Sequence, residues 1–145
     1  MPRFALVFCS TLLLSNAVNA LDYRSVAEAA VLYDAPSQKA TPRFVIAPGT
    51  PVEAVVTLGA WVKIRDMTGD MAWIERRQLS AQRFLQVRAA RAQVRAGADE
   101  SAALVFEAEA DVLLELVETG AAGWLKVRHR DGQQGFVRAN QVWGL

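Results

Sequence analysis

Two tryptophan–lysine pairs carry the chemistry most readily seen in this chain: Trp61 with Lys63, and Trp124 with Lys126. In an extended strand, residues two apart project from one face, so each indole would lie beside an ammonium group. An indole is a rigid amphipathic platform for a sugar ring or an apolar side chain, and an adjacent lysine can hold a carboxylate. The other use of such tryptophans is packing, either capping a domain or pressing two domains together, and this is the commoner fate of large aromatics. Trp73 and Phe136 follow turn signals and suit structural positions, and Trp143, near the end of the chain, suits an anchor for the tail.

The inventory for catalysis is short. His129 is the single histidine and stands between Arg128 and Arg130, and Cys9 is the single cysteine. Cys9 falls in an N-terminal segment expected to be removed, so a Cys–His hydrolase cannot be assembled. One histidine cannot make a two-histidine zinc site. No stretch reads as a phosphate loop, a dinucleotide turn or a nucleophile elbow. A glycosidase working with carboxylates alone would need a deep cleft, which two small domains are not expected to provide. The expectation is a protein that is not an enzyme and needs neither cofactor nor metal. Glu107, Glu109 and Asp111 alternate, and calcium favours such oxygen clusters, but the internal alignment below puts a turn at Glu109 and points to solvent exposure. Arg88, Arg91 and Arg95, with Arg76, Arg77 and Arg83 nearby, could meet an anionic glycan or phosphate. Interspersed acids make a solvated face the simpler reading.

The segment that precedes these residues reads as an address. Arg3 gives a minimal positive start, Phe4 to Leu14 is apolar, and Ala17-Val18-Asn19-Ala20 supplies the small residues a signal peptidase requires. Eleven apolar residues are too few to span a bilayer as a helix, which takes about twenty. A signal peptide cleaved after Ala20 is expected, with a retained anchor as the alternative. Cys9 is preceded by Phe8 and followed by more apolar chain, which argues against a lipid-modified cysteine. The whole chain has 16 basic and 15 acidic residues; removal of Arg3 makes the remainder formally neutral, which argues against nucleic acid as a partner. The remainder also lacks cysteine, so in an oxidising compartment it must be stable by packing alone. A periplasmic or secreted protein without an integral membrane span is expected.

The positioning elements are written twice. Residues 61–79 align with 124–142 at a constant offset of 63: Trp61/Trp124, Lys63/Lys126, Arg65/Arg128, Gly69/Gly132 and Gln78/Gln141 are identical, and five further positions exchange one hydrophobe for another. Upstream, PVEAVV (51–56) aligns with DVLLEL (111–116) at an offset of 60, which places three extra residues in the turn Thr119–Gly123. The unit of about sixty residues has the size of a small domain. Within it the period is two: Val62 and Ile64 alternate with Trp61, Lys63 and Arg65, and WLKVR repeats the pattern. Gly69 and Asp131-Gly132 signal hairpin turns. Further strands are expected over 26–33, 43–46, 52–57, 84–89, 92–95 and 104–107. A helix through 84–97 competes on alanine and arginine content. Its apolar residues do not gather on a 3.6-residue stripe, so strand is the reading taken. The resulting division is a signal at 1–20, one domain at 21–79, a linker at 80–83 and a second domain at 84–145. Such a short linker implies domains packed together, which would help units near the lower size limit for a stable core.

The order of motifs runs LYDAPS (32–37), PGTPVEAVV (48–56), WVKIR (61–65), TGDMAWI (68–74) and QL (78–79) in the first copy. The second copy has VRAGAD (94–99), DVLLEL (111–116), WLKVR (124–128), DGQQGFV (131–137) and NQV (140–142). This order resembles the bacterial Src-homology-3-type domains of cell-envelope proteins, over nearly all of residues 23–145. The resemblance implies an all-β chain of two tandem, partly open barrels of five to six strands each. It also implies a binding or targeting role, commonly toward peptidoglycan or its stem peptides. In such domains the groove lies between the long loop and the loop before the repeated tryptophan, where Tyr33 and Trp61 stand in copy one and Arg95 and Trp124 in copy two. Ala35 replaces a second groove tyrosine of the eukaryotic relatives, and Arg76 and Ala139 replace the proline of their peptide site, so proline-rich peptides are not the expected ligand. The candidate contacts are therefore Tyr33, Trp61, Lys63, Arg95, Trp124 and Lys126, for peptidoglycan or a wall peptide. The alternative is an adaptor for another envelope protein, with strand addition at an open edge and with Trp61 and Trp124 buried between the domains.

Overall fold

Alternation of apolar and polar residues over short stretches, broken by glycine turns, builds two curved antiparallel sheets in succession. The computed structural model describes residues 21–145; the expected signal at 1–20, with Cys9, lies outside them. Copy one contains β1 (Tyr23–Val26), β2 (Ala30–Tyr33), β3 (Pro42–Ile46), β4 (Pro51–Leu58), β5 (Trp61–Arg65), β6 (Met71–Glu75) and β7 (Leu79–Ser80). Copy two contains β8 (Phe84–Val87), β9 (Arg91–Arg95), β10 (Leu104–Glu109), β11 (Leu113–Thr119), β12 (Trp124–Arg128), β13 (Gln134–Arg138) and β14 (Val142–Trp143). The strand orders are β3-β2-β6-β5-β4-β1-β7 and β10-β9-β13-β12-β11-β8-β14, the same topology twice. Each sheet has seven strands rather than five or six, because the chain leaves a 3-10 turn (Arg76–Gln78, Ala139–Gln141) to add a two-residue strand beside the first.

Each sheet curls around its own core. Val26, Leu32, Val52, Val62, Ile64 and Ile74 fill the first, and Leu85, Val87, Val94, Leu114, Val127 and Val137 the second. The segment 84–97 contains two strands, Phe84–Val87 and Arg91–Arg95, and no helix, in line with its periodicity. The predicted single strand over 26–33 is two strands. Val26 and Ala30 both face the core, and the chain turns a corner between them, passing from pairing with β4 and β7 to pairing with β3 and β6. Ser80 belongs to β7, so the connection between the sheets is shorter by one residue than the linker read from sequence.

The pairing also corrects the internal alignment. Val26 and Val87 occupy one position, opposite Leu79 and Val142, at an offset of 61. Glu53 and Glu115 occupy another at an offset of 62, and Trp61 and Trp124 a third at 63. Copy two therefore gains one residue in its first turn and one in the hairpin before Trp124, not three in that hairpin. With the offset of 60 removed, Glu109 ends strand β10 and the turn moves to Ala110-Asp111. Asp111 (φ 70°) takes the left-handed position that Gly49 (φ 78°) holds in copy one, a conformation aspartate tolerates better than most side chains. Even the irregularity is duplicated: the register slips at Val55 in β4 and at Val117 in β11.

The sheets meet along a seam. The Phe84 N–H donates to the Ser25 hydroxyl oxygen at 3.0 Å, and Ser25 is fully buried. Trp143 packs edge-on against Tyr23 with ring centroids 5.1 Å apart, and Arg83 lies 5.9 Å from the same tyrosine ring. Trp143 thus anchors the tail of copy two on copy one. Trp61 and Trp124 take no part in these contacts, which corrects the expectation that an adaptor would bury them between the domains. The chain leaves Trp143 through Gly144 (φ 112°), where a β-carbon would stand 2.8 Å from Cβ of Pro51. Gly144→Ala is expected to destabilise the protein by about 1–3 kcal/mol through overpacking. Urea unfolding measures this, and near-ultraviolet circular dichroism reads the accompanying loss of the Tyr23–Trp143 contact.

Candidate functional site

Alternation in β5 and β6 sends Val62, Ile64, Ala72 and Ile74 into the core and leaves Trp61, Lys63, Trp73 and Glu75 half-buried on the other face. Pairing places Lys63 opposite Trp73, Trp73 opposite Tyr33, and Trp61 opposite Glu75. The Tyr33 and Trp61 rings meet edge-to-face, 5.7 Å apart and at 86°. Three of the predicted contacts, Tyr33, Trp61 and Lys63, therefore share one face. The long loop joins them through Gln38, whose side-chain amide donates to Glu75, and Arg77 donates to the other oxygen of that carboxylate. These hydrogen bonds, Gln38 first, hold the Glu75 carboxyl below its usual range. Val56 and Leu58 on β4 extend the face as exposed apolar surface. The arrangement offers aromatic edges, an ammonium group and apolar side chains to a ligand.

Copy two places its equivalents differently. Arg95 stands at the Tyr33 position, opposite Phe136, but its guanidinium donates to the Ala102 carbonyl (3.0 Å) and the Gln93 side chain (2.7 Å). It braces the long loop instead of lining an open groove. Trp124 is only 5% exposed. Arg138 lies over its indole at 4.5 Å and is itself paired with Glu100 from the long loop. Lys126 is half-buried opposite Phe136. The duplicated platform is open in copy one and covered in copy two.

Two features escape the sequence reading. The first is a repeated ion pair: Arg65 donates to Glu53 at 2.9 Å, and Arg128 donates to Glu115 at 3.0 Å. The Arg128 hydrogen bond lowers the Glu115 carboxyl from its usual value. A Val-Glu or Leu-Glu step twelve or thirteen residues before the repeated arginine was its signal, hidden by the wrong offset. The second is a cleft of about 650 Å³ between the copies. Ser25, Pro48 and Gly49 form one side of it, and Phe84, Leu113 and the run Arg128–Arg130 the other. Residues from both copies build it, so no local motif announces it. Beside it, the Asp131 carboxyl accepts from the backbone and side-chain amides of Gln133 and faces His129, which hold it down at about 2.

Among the described residues no group of histidine, cysteine and carboxylate side chains is placed to hold a metal ion, and no helix is long and apolar enough to cross a membrane. A family model described as the bacterial SH3 domain matches the chain twice, over residues 26–81 and 88–144. No curated protein matches it. Among solved structures, NlpC1 from Trichomonas vaginalis is similar at 13% identity and a TM-score of 0.40, over 93% of this chain and 50% of that one. NlpC2 from the same organism is similar at 8% identity and a TM-score of 0.39, over 86% and 48%. An NlpC/P60 family protein from Bacillus cereus is similar at 17% identity and a TM-score of 0.38, over 84% and 56%. The chain spans about half the length of each.

The burial difference between the tryptophans has a measurable consequence. Trp124→Ala is expected to cost about 3–5 kcal/mol of stability, the usual loss for a buried aromatic, and Trp61→Ala distinctly less, as read by chemical denaturation. The turn at Asp131 sets a second expectation. Its carboxyl is depressed from 3.8, so its stabilisation is complete above pH 4 and is lost as the pH falls through about 2. The destabilisation caused by Asp131→Ala in thermal unfolding should shrink between pH 4 and pH 2.

Proposed function

The chain belongs to the bacterial SH3 domain family, and on that premise we propose that it is an exported, non-enzymatic cell-envelope protein that recognises peptidoglycan or its stem peptides through the outer face of copy one. The observation that carries this reading is the half-buried Tyr33–Trp61 pair, set edge-to-face beside Lys63 and Trp73. Aromatic rings pinned by a sheet lose little freedom when a sugar ring or a peptide side chain packs on them. Lys63 adds one point charge for a carboxylate. The formal charge of the whole chain is only +1, so attachment to the wall would rest on these contacts and tolerate salt. Residues 1–20 supply the export signal in this reading, and a lone histidine with no cysteine beyond residue 20 leaves binding as the role.

A second reading is supported by the edge strand β3. Phe44 and Val45 are exposed there, 41% and 76%, and the outer backbone of the strand is unpaired in the sheet order. An envelope protein could add a strand at this edge, which would make the chain an adaptor.

Sedimentation with purified sacculi at low and moderate salt separates the two. Under the wall-binding reading the protein sediments at both salts, and Trp61→Ala or Lys63→Ala weakens this while the circular dichroism spectrum stays unchanged. Absence of sedimentation at either salt would overturn wall binding and leave the edge-strand adaptor. N-terminal sequencing of the exported protein should begin at Leu21; a start at Met1 would refute cleavage.

A further inference from the structure

The cleft lies beside the seam and shares Ser25, Gly49, Phe84 and Leu113 with it. Its apolar lining includes Val26 and Pro48 from copy one and Phe84, Val112 and Leu113 from copy two. Its polar lining is Ser80 at the end of β7, Gln82 on the connection between the sheets, the paired Glu115 and Arg128, and His129 and Arg130 on the turn after β12. A volume of about 650 Å³ falls within the range of sites for small organic ligands, which combine apolar lining with a few convergent polar groups. The seam contacts between Ser25 and Phe84 and between Tyr23 and Trp143 fix both walls, so the cleft exists before any ligand arrives.

The turn that carries His129 and Arg130 has been rewired relative to its counterpart. In copy one, Asp66 accepts from the Thr68 and Asp70 backbone amides and so organises the turn itself. In copy two the same backbone path is kept: Gly132 (φ 95°) matches Gly69 (φ 94°), and the N–H of position 129 bonds to Gln133 as that of 66 bonds to Asp70. The side-chain work has moved to Asp131, which accepts from Gln133. His129 replaces Asp66 and still accepts from the backbone amide two residues on, more loosely (3.4 Å against 2.9 Å), while Arg130 replaces Met67. Arg128 is occupied by Glu115, and His129 faces Asp131. Arg130 has no ion-pair partner among the described residues. The result is one exposed arginine without an ion-pair partner in the lining of a largely apolar cleft, beside the paired Arg128 and Glu115.

We propose that this cleft binds a short peptide with a free carboxylate, the carboxylate held by Arg130 and an apolar side chain seated on Phe84, Leu113 and Pro48. The Ser80 hydroxyl accepts from the Gln82 backbone and the Gln82 side-chain amide donates to Glu115, which leaves the Ser80 O–H as a donor and the Gln82 carbonyl oxygen as an acceptor for peptide amides, groups an aliphatic lipid tail would leave unused. The site is separate from the Tyr33–Trp61 face, and neither requires the other.

The test is a nuclear magnetic resonance titration of the isotopically labelled whole protein with N-acetylated leucyl-leucyl-phenylalanine, once as the free acid and once as its amide. The free acid should shift the backbone signals of Phe84, Leu113 and Arg130, and the amide should bind about tenfold more weakly, the usual worth of one charge-assisted hydrogen bond. Arg130→Gln should weaken the free acid to the level of the amide, while Arg43→Gln, on exposed β3, should leave it unchanged. Equal binding of acid and amide, an unchanged affinity in Arg130→Gln, or no shift at these residues would each overturn the proposal. Shifts confined to the Trp61 and Trp73 indoles would overturn it while supporting the copy-one face, so the two sites fail independently.

Discussion

The part-buried hydrogen bond from the Phe84 N–H to Ser25 ties the two sheets into one packed unit. A unit of about sixty residues buries a smaller fraction of its surface than a larger domain does and is marginal alone, and residues 21–145 contain no cysteine with which a disulfide could compensate. The seam adds a shared interior: Tyr23 covered by Trp143, Pro51 against Gly144, and Gly49 facing Leu113 and Phe84. A buried serine without its partner would cost more than the bond contributes, so the seam admits one relative placement of the copies and disfavours others. The cleft beside it inherits its shape from that placement.

Duplication preserved what the barrel needs and released the rest. The core positions, the slip at Val55 and Val117, the Glu–Arg pair across the sheet and the left-handed turns at Gly69 and Gly132 recur in both copies. Each serves backbone pairing, packing or partial burial of charge. The outer faces have no such obligation. In copy one the tyrosine and tryptophan pack together and stay half-exposed, whereas in copy two arginine takes the tyrosine's position and Arg138 closes over Trp124. The same strand positions thus carry one open face and one covered one.

Much of the fold was legible because strand alternation and turn glycines are local signals. WVKIR and WLKVR announce which residues enter the core, and the family resemblance follows from their order. The break between β1 and β2 was not legible, since Val26 and Ala30 face the same core and only the change of partner strands separates them. The offset of 62 through β4 and β11 was hidden as well. Apolar runs align almost equally well two residues apart, and only cross-strand pairing distinguishes the registers.

From residue order alone it follows that two small β units stand in tandem, that one histidine and no cysteine stand beyond residue 20, and that Tyr33, Trp61 and Lys63 could share a face. These follow from residue type and a period of two, which act over a few residues. The assembled sheets alone make Trp124 buried and Trp61 half-exposed, set Arg95 to brace a loop, and leave a cleft between the copies with Arg130 in its lining. Each of these depends on side chains distant in sequence being brought together: Arg138 with Glu100, Arg95 with Ala102, and Pro48 with Phe84. Exposure of a side chain is settled by what else packs there, and that is a property of the assembled barrels and not of any segment within them.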